Sequence, residues 1–172
     1  MQPWLRHCRV TFPVMPPAGW VLLAYRLPRE PSTPRIALWR ALRRLGATQL
    51  LDGLVALPAD SRTREQLEWL ADAVIEAGGE ATVWLAQPAS RAQGRAIAAR
   101  MQAQAAAEYR QLADEANGAA RAPSSAHKRT LKRLRRQLRR IRRRDYFRAT
   151  EGAEAKDAVD ALARTLEREL AV

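Results

Sequence analysis

The stretch ATQLLDGLVALP, residues 47–58, holds two short apolar runs on either side of Asp52-Gly53. An Asp-Gly pair between such runs favours a type I′ turn, so a two-strand hairpin is expected here. Its flanks decide what the hairpin belongs to. Upstream lies PSTPRIALWRALRRLGA, residues 31–47. Ser32 or Thr33 can cap a helix and Pro34 suits its first turn. Ile36, Trp39, Leu42 and Leu45 then recur at helical spacing, and Gly46 stops the run. Before it, WVLLAYRLP (20–28) is a short apolar run closed by proline, as in a buried strand. Downstream, Asp60 or Ser61 opens a second helix over about 62–77. Leu67, Leu70, Val74 and Ile75 form its apolar face with Trp69 beside it, and Gly78-Gly79 ends it. ATVWLAQP (81–88) is a last strand. Strand, helix, strand, strand, helix, strand is the split βαβ plan, which predicts an α+β, ferredoxin-like domain over residues 20–88. Trp20, Trp39, Trp69 and Trp84 fall among apolar neighbours in these elements, and core positions are expected for all four.

Outside this block the composition changes. Residues 1–19 hold four prolines and no continuous apolar run, and we expect a flexible N-terminal extension without a signal peptide. Residues 89–172 are expected to form a helical extension. Ile97, Met101, Ala105, Tyr109 and Leu112 make a weak stripe over 90–116. Asn117-Gly118 and Pro123-Ser124-Ser125 then break the chain, and Glu151-Gly152 breaks it again. A last helix over about 153–170 carries Ala155, Val159, Leu162, Leu166 and Leu170 on one side. Three helices joined by short connections predict mutual packing.

The net charge of +12 is concentrated in one place. Residues 128–144, KRTLKRLRRQLRRIRRR, contain eleven Lys or Arg and no acid. Leu131, Leu134, Leu138 and Ile141 are spaced three, four and three, a narrow helical seam. The basic side chains take the rest of the circumference. Arginine outnumbers lysine nine to two, and guanidinium forks suit bidentate phosphate contacts. The bland alternative is a solvated helix neutralised by the last one, which carries Glu154, Asp157, Asp160, Glu167 and Glu169. Five acids cannot match eleven bases, and exposed pairs contribute only ~0–1 kcal/mol each. We therefore expect Lys132, Arg133, Arg135, Arg136, Arg139, Arg140, Arg142 and Arg143 to contact nucleic acid. Arg35, Arg43 and Arg44 on the first helix form a lesser cluster that could share one duplex. Membrane-surface binding fits poorly, because the apolar stripe lacks aromatic residues.

Catalytic signals are missing from the sequence. There is no P-loop, GxSxG, CxxC or HExxH pattern, and His7 and His127 sit in loose segments. Small ferredoxin-like nucleases need an acid at the end of the first strand to hold a metal. Tyr25-Arg26-Leu27-Pro28 stands there instead. A non-enzyme with no cofactor and no metal is expected. The single cysteine, Cys8, fits a cytoplasmic protein, and no run reaches the ~20 apolar residues of a membrane span.

The ordered motifs carry a family resemblance. They are W-V-L-L-A-Y-R-L-P (20–28), P-S-x-x-R-I-x-x-W-R-x-L-R-R-L-G-A (31–47), D-G-L-V-A-L-P (52–58), E-x-L-E-W-L-A (65–71) with the Gly-Gly that follows, and L-R-R-Q-L-R-R-I-R-R-R-D-Y-F (134–147). Together they resemble the N-terminal domain of the ChrB family, bacterial chromate-resistance regulators. The sheet part also looks like the ferredoxin-like middle domain of the PaaX-type repressors. The resemblance implies a cytoplasmic role in chromate or metal-oxyanion response and in transcriptional control, with DNA as partner. Family regulators continue into a second domain, so we expect a stand-alone N-terminal domain here. The alternative is an interaction module. Its 131–141 leucine seam would then meet a separate sensor protein or a second copy in a homodimer.

Overall fold

The computed structural model describes residues 19–121 and 127–170. The extension expected at 1–19, apart from Gly19, and the break at Pro123-Ser124-Ser125 lie outside them. The elements are β1 (Trp20–Arg26), α1 (Ser32–Leu45), β2 (Thr48–Leu51), β3 (Leu54–Pro58), α2 (Ser61–Glu76), β4 (Glu80–Ala86), α3 (Arg91–Ala119), α4 (His127–Arg144) and α5 (Glu151–Leu170). The first six follow the expected order. They form one four-stranded sheet in the order β2-β3-β1-β4, with every neighbouring pair antiparallel. The α+β class is as expected.

The hairpin forms, but its turn is not type I′. That turn needs positive φ at both central residues; Gly53 has φ 74, and Asp52 is not among the positive-φ residues. The strands stay paired through a register irregularity between Gln49 and Leu51. Gly53 is fixed by a second constraint. Its carbonyl accepts from Tyr25 N at 2.7 Å, and a Cβ on it would stand 2.4 Å from the Tyr25 oxygen. α1 starts at Ser32 behind Pro31 with no side-chain cap, so neither Ser32 nor Thr33 caps it. α2 is capped as expected. Thr63 N donates to Asp60 Oδ1 at 2.6 Å, and Asp60 N donates to Thr63 Oγ1 at 3.0 Å.

Alternation along β1 divides the sheet core. Val21 and Leu23 of β1 share a face with Val55 and Leu57 of β3, and all four are buried. They join Leu38 and Leu42 of α1 and Leu67, Ala71 and Val74 of α2 in one core. Trp20 and Ala56 point the other way, where Ala98 and Met101 of α3 extend the same cluster. The rest of α3 belongs elsewhere. Its Ala105, Ala106, Tyr109, Leu112 and Ala116 pack with α4 and α5 in a second core. α3 is thus a shared strut between sheet and helices. It also runs through Asn117 and Gly118 to Ala119, where the sequence suggested a break.

Three of the four tryptophans are not core residues. Trp20 is 2% exposed, but Trp39, Trp69 and Trp84 are 54%, 65% and 57% exposed. On α1 the buried stripe is Leu38 and Leu42, not Ile36 and Trp39. Trp84 stands on β4, an edge strand that, among the described residues, only β1 pairs with.

Candidate nucleic-acid interface

α4 follows directly from its residue pattern. Arginine, lysine and leucine are good helix formers, and the last turn holds Arg142, Arg143 and Arg144, where cations favour the helix dipole. Leu131, Leu134, Leu138 and Ile141 are 0–7% exposed and pack in the second core against α3 and α5. Burying each contributes about 1.5–3 kcal/mol. The seam is therefore filled by the chain's own helices. That corrects the alternative in which it meets a sensor protein or a second copy. His127 opens α4 and is buried, rather than lying in a loose segment.

With the seam fixed, the cations have one direction left. Lys128, Arg129, Lys132, Arg133, Arg135, Arg136, Arg139, Arg140, Arg142 and Arg143 are all exposed; Arg144 is half-buried. At 100° per residue, Arg129, Lys132, Arg136, Arg140 and Arg143 lie opposite the seam. Arg129 belongs to this row although the expected site began at Lys132. The wheel that found Arg136 also finds it.

Neutralisation by the described residues is slight. Among the described residues, only two α4 cations form ion pairs, and both partners are on α3. Arg133 Nη1 meets Glu115 Oε2 at 2.8 Å. Arg144 pairs with Glu108, and its Nη1 also donates to the Arg43 carbonyl at 2.8 Å. Among the described residues, no carboxylate of α5 forms an ion pair with α4. Glu154, Asp157 and Glu167 are exposed, and Glu169 lies outside the described side chains. Asp160 is bonded to Lys156 at 2.5 Å. That bond holds the Asp160 carboxyl below its ordinary range, helped by the charges of Lys156, Arg164 and Arg135.

The turn after α4 locks its end to the rest of the fold. Asp145 accepts from Ala149 N at 3.0 Å and lies beside the Tyr109 hydroxyl. Burial pushes the Tyr109 phenol up to about 12, and the Asp145 charge and hydrogen bond add to the rise. Tyr146 OH donates to the Leu45 carbonyl at 2.8 Å, and the Phe147 ring stands 6.3 Å from that of Trp20. The C-terminal ends of α1 and α4 thereby meet. Gly46 is the point of closest approach: it has φ 74, and a Cβ there would stand 2.8 Å from Arg144 Cβ.

The α1 cluster is only partly drawn in. Arg43 sits where α1 meets α4, its guanidinium 4.9 Å from the Trp39 ring centre. Arg35 lies eight residues back, about 12 Å along the helix. It donates to the carbonyls of Pro28 and Arg29. Arg44 lines a groove between α1 and α2 with Leu38, Leu70 and Val74. One of the three thus adjoins α4. Arg148 and Lys156 were not expected; they share a notch with Arg142 beyond the end of α4. Folding of the turn brings them there, and no local spacing signals it. Among the described residues, no group of three or more His, Cys, Asp or Glu could hold a metal ion, and no helix is long and apolar enough to cross a membrane.

Comparison with known proteins adds the lineage. Protein ChrB of Cupriavidus metallidurans is 42% identical over 74 residues, 42% of this chain and 22% of that protein. The chain thus matches well under two thirds of that relative's length. No solved structure matches. The family model described as Protein ChrB, N-terminal, matches residues 35–120, from α1 to the end of α3 and stopping before α4. That is half of the chain, and the chain belongs to the ChrB N-terminal family.

Proposed function

We propose that this protein is a cytoplasmic, non-enzymatic regulator associated with chromate resistance, and that it binds duplex DNA through α4 in transcriptional control. The carrying observation is the exposure of ten of the eleven basic side chains of α4 while its apolar seam is buried. A helix flanked by α3 and α5 presents one face only, so it serves as a rail along the phosphates rather than a probe deep in a groove. Eighteen residues span about 27 Å, and duplex DNA offers one charge per ~1.7 Å of axis. We further assign residues 20–88 to the ferredoxin-like class. The β2-β3-β1-β4 order and the βαββαβ sequence of elements support that assignment.

Arginine-selective chemical modification with mass-spectrometric readout, with and without a duplex, tests the interface. Arg136, Arg139, Arg140 and Arg143 should be protected several-fold, and the exposed Arg26, at the opposite end of β1 from the Trp20–Phe147 contact, should not. Equal reactivity of all five with DNA present would refute the assignment.

A further inference from the structure

β4 is an edge strand without the usual protection. Its seven residues pair with β1 in unbroken register, from Trp20↔Ala86 to Arg26↔Glu80. Among the described residues no strand covers its other side, so alternate N–H and C=O groups face outward unpaired by the sheet. Natural edges are blunted by charge, proline or a bulge. Here charge stands only at Glu80, the first residue; residues 81–86, ATVWLA, carry none and no proline, and the ladder has no bulge. Trp84 and Leu85 stand on opposite faces of this edge, 57% and 63% exposed. Ile75 of α2, 54% exposed, adds to it. Leu70 and Ala73 line the groove toward α1, and helical geometry puts Ile75 on the opposite flank, beside β4. Three of the seven large exposed apolar side chains among the described residues therefore border one strand edge.

We propose that β4 pairs antiparallel with β4 of a second copy of this chain, joining the two sheets into one of eight strands. Charge leaves room for a second copy at this edge. Two chains of net charge +12 repel wherever their cations meet. β4 packs on β1 and α2, while α4 packs on α3 and α5 and touches α1. The neutral edge is thus a place where like-charged copies can approach, whereas an acidic partner would be drawn to α4 instead. Shape agrees. The midpoint of Glu80–Ala86 is Val83, and a two-fold axis there pairs all seven residues. It sets Trp84 opposite Thr82 and Leu85 opposite Ala81 of the other copy, large against small on each face. Taking about 150–250 Å² for a large side chain, Trp84 and Leu85 leave roughly 250 Å² open per copy. With Ile75 and the paired backbones, two copies bury on the order of 1,000 Å², near the lower bound of a specific interface. A dimer populated over the micromolar range is the consequence. Both α4 helices stay free in it.

The test combines sedimentation over ~1–200 μM with directed cross-linking. The full chain should pass from monomer to dimer. With Cys8→Ser as background, Val83→Cys should form an intermolecular disulfide on mild oxidation, since directly opposed strand residues lie within disulfide reach. Trp84→Lys should stay folded by circular dichroism and remain monomeric; Leu85→Lys takes its place if that variant unfolds. A monomer at every concentration overturns the proposal. So does a dimer that survives the lysine substitution or fails to cross-link at Val83, since it would use another surface.

Discussion

Changing Arg135, Arg136, Arg139, Arg140, Arg142 and Arg143 together to glutamine should lower affinity for duplex DNA on the order of 10³-fold at ~50 mM salt and leave the fold intact. All six side chains are exposed, and none forms an ion pair among the described residues. Glutamine keeps helix propensity and removes charge only. Each neutralised phosphate releases condensed counterions, and that release supplies most of the sequence-independent binding free energy. Removing six like charges from one face also relieves repulsion, so melting temperature should hold or rise. Fluorescence anisotropy on a labelled duplex, with a thermal melt of the same sample, checks both halves. A variant that unfolds, or one that binds as before, would place the binding surface elsewhere.

The second large effect is on stability. Leu134 is fully buried between α3, α4 and α5. Leu134→Asp places a carboxylate in that core. The positions one turn away on α4, Thr130, Leu131, Gln137 and Leu138, offer it no cation. A buried charge without a partner belongs to the small class of substitutions costing more than about 4 kcal/mol. We expect the helical part to lose cooperative packing, read as a drop in helical signal and a lower denaturant midpoint. Leu134→Ala should cost less, about 2–5 kcal/mol. A seam made for an outside partner would give the opposite pattern: no loss of stability in the isolated chain, and loss of association only.

Periodicity carried most of the fold. The short apolar run of β1, the Asp60 cap of α2 and the three-four-three spacing on α4 each rest on residues close in the chain, so the sequence displays them. The errors have a common cause. On α1, Leu42 belongs both to the Ile36–Trp39 row and to the Leu38 row, and only packing against α2 and the sheet chooses the second. Arg43 lying over Trp39 shows how an exposed indole is accommodated instead. Trp84 is exposed because β4 is an edge, and strand order is a long-range property. At Asn117-Gly118 the packing of Leu112 and Ala116 against the second core carries the helix past two poor helix formers.

The candidate site divides the same way. Which residues of α4 are cationic and which are apolar is plain from spacing. That its seam is satisfied internally, that Arg144 is taken up by Glu108 and the Arg43 carbonyl, and that Arg35 is held at the far end of α1 are all tertiary facts. They convert a cationic segment into a one-sided cationic face.

The claim beneath all of this is that the outward charge of α4 exceeds what the molecule's own carboxylates offset. The salt dependence of duplex binding addresses it most directly, compared between the natural chain and the six-glutamine variant. At about −0.9 per phosphate, six contacts predict a log–log slope near −5 for the natural chain. The variant's slope should be shallower by about that amount. A flat response in the natural chain, or the same slope in both proteins, would contradict the account.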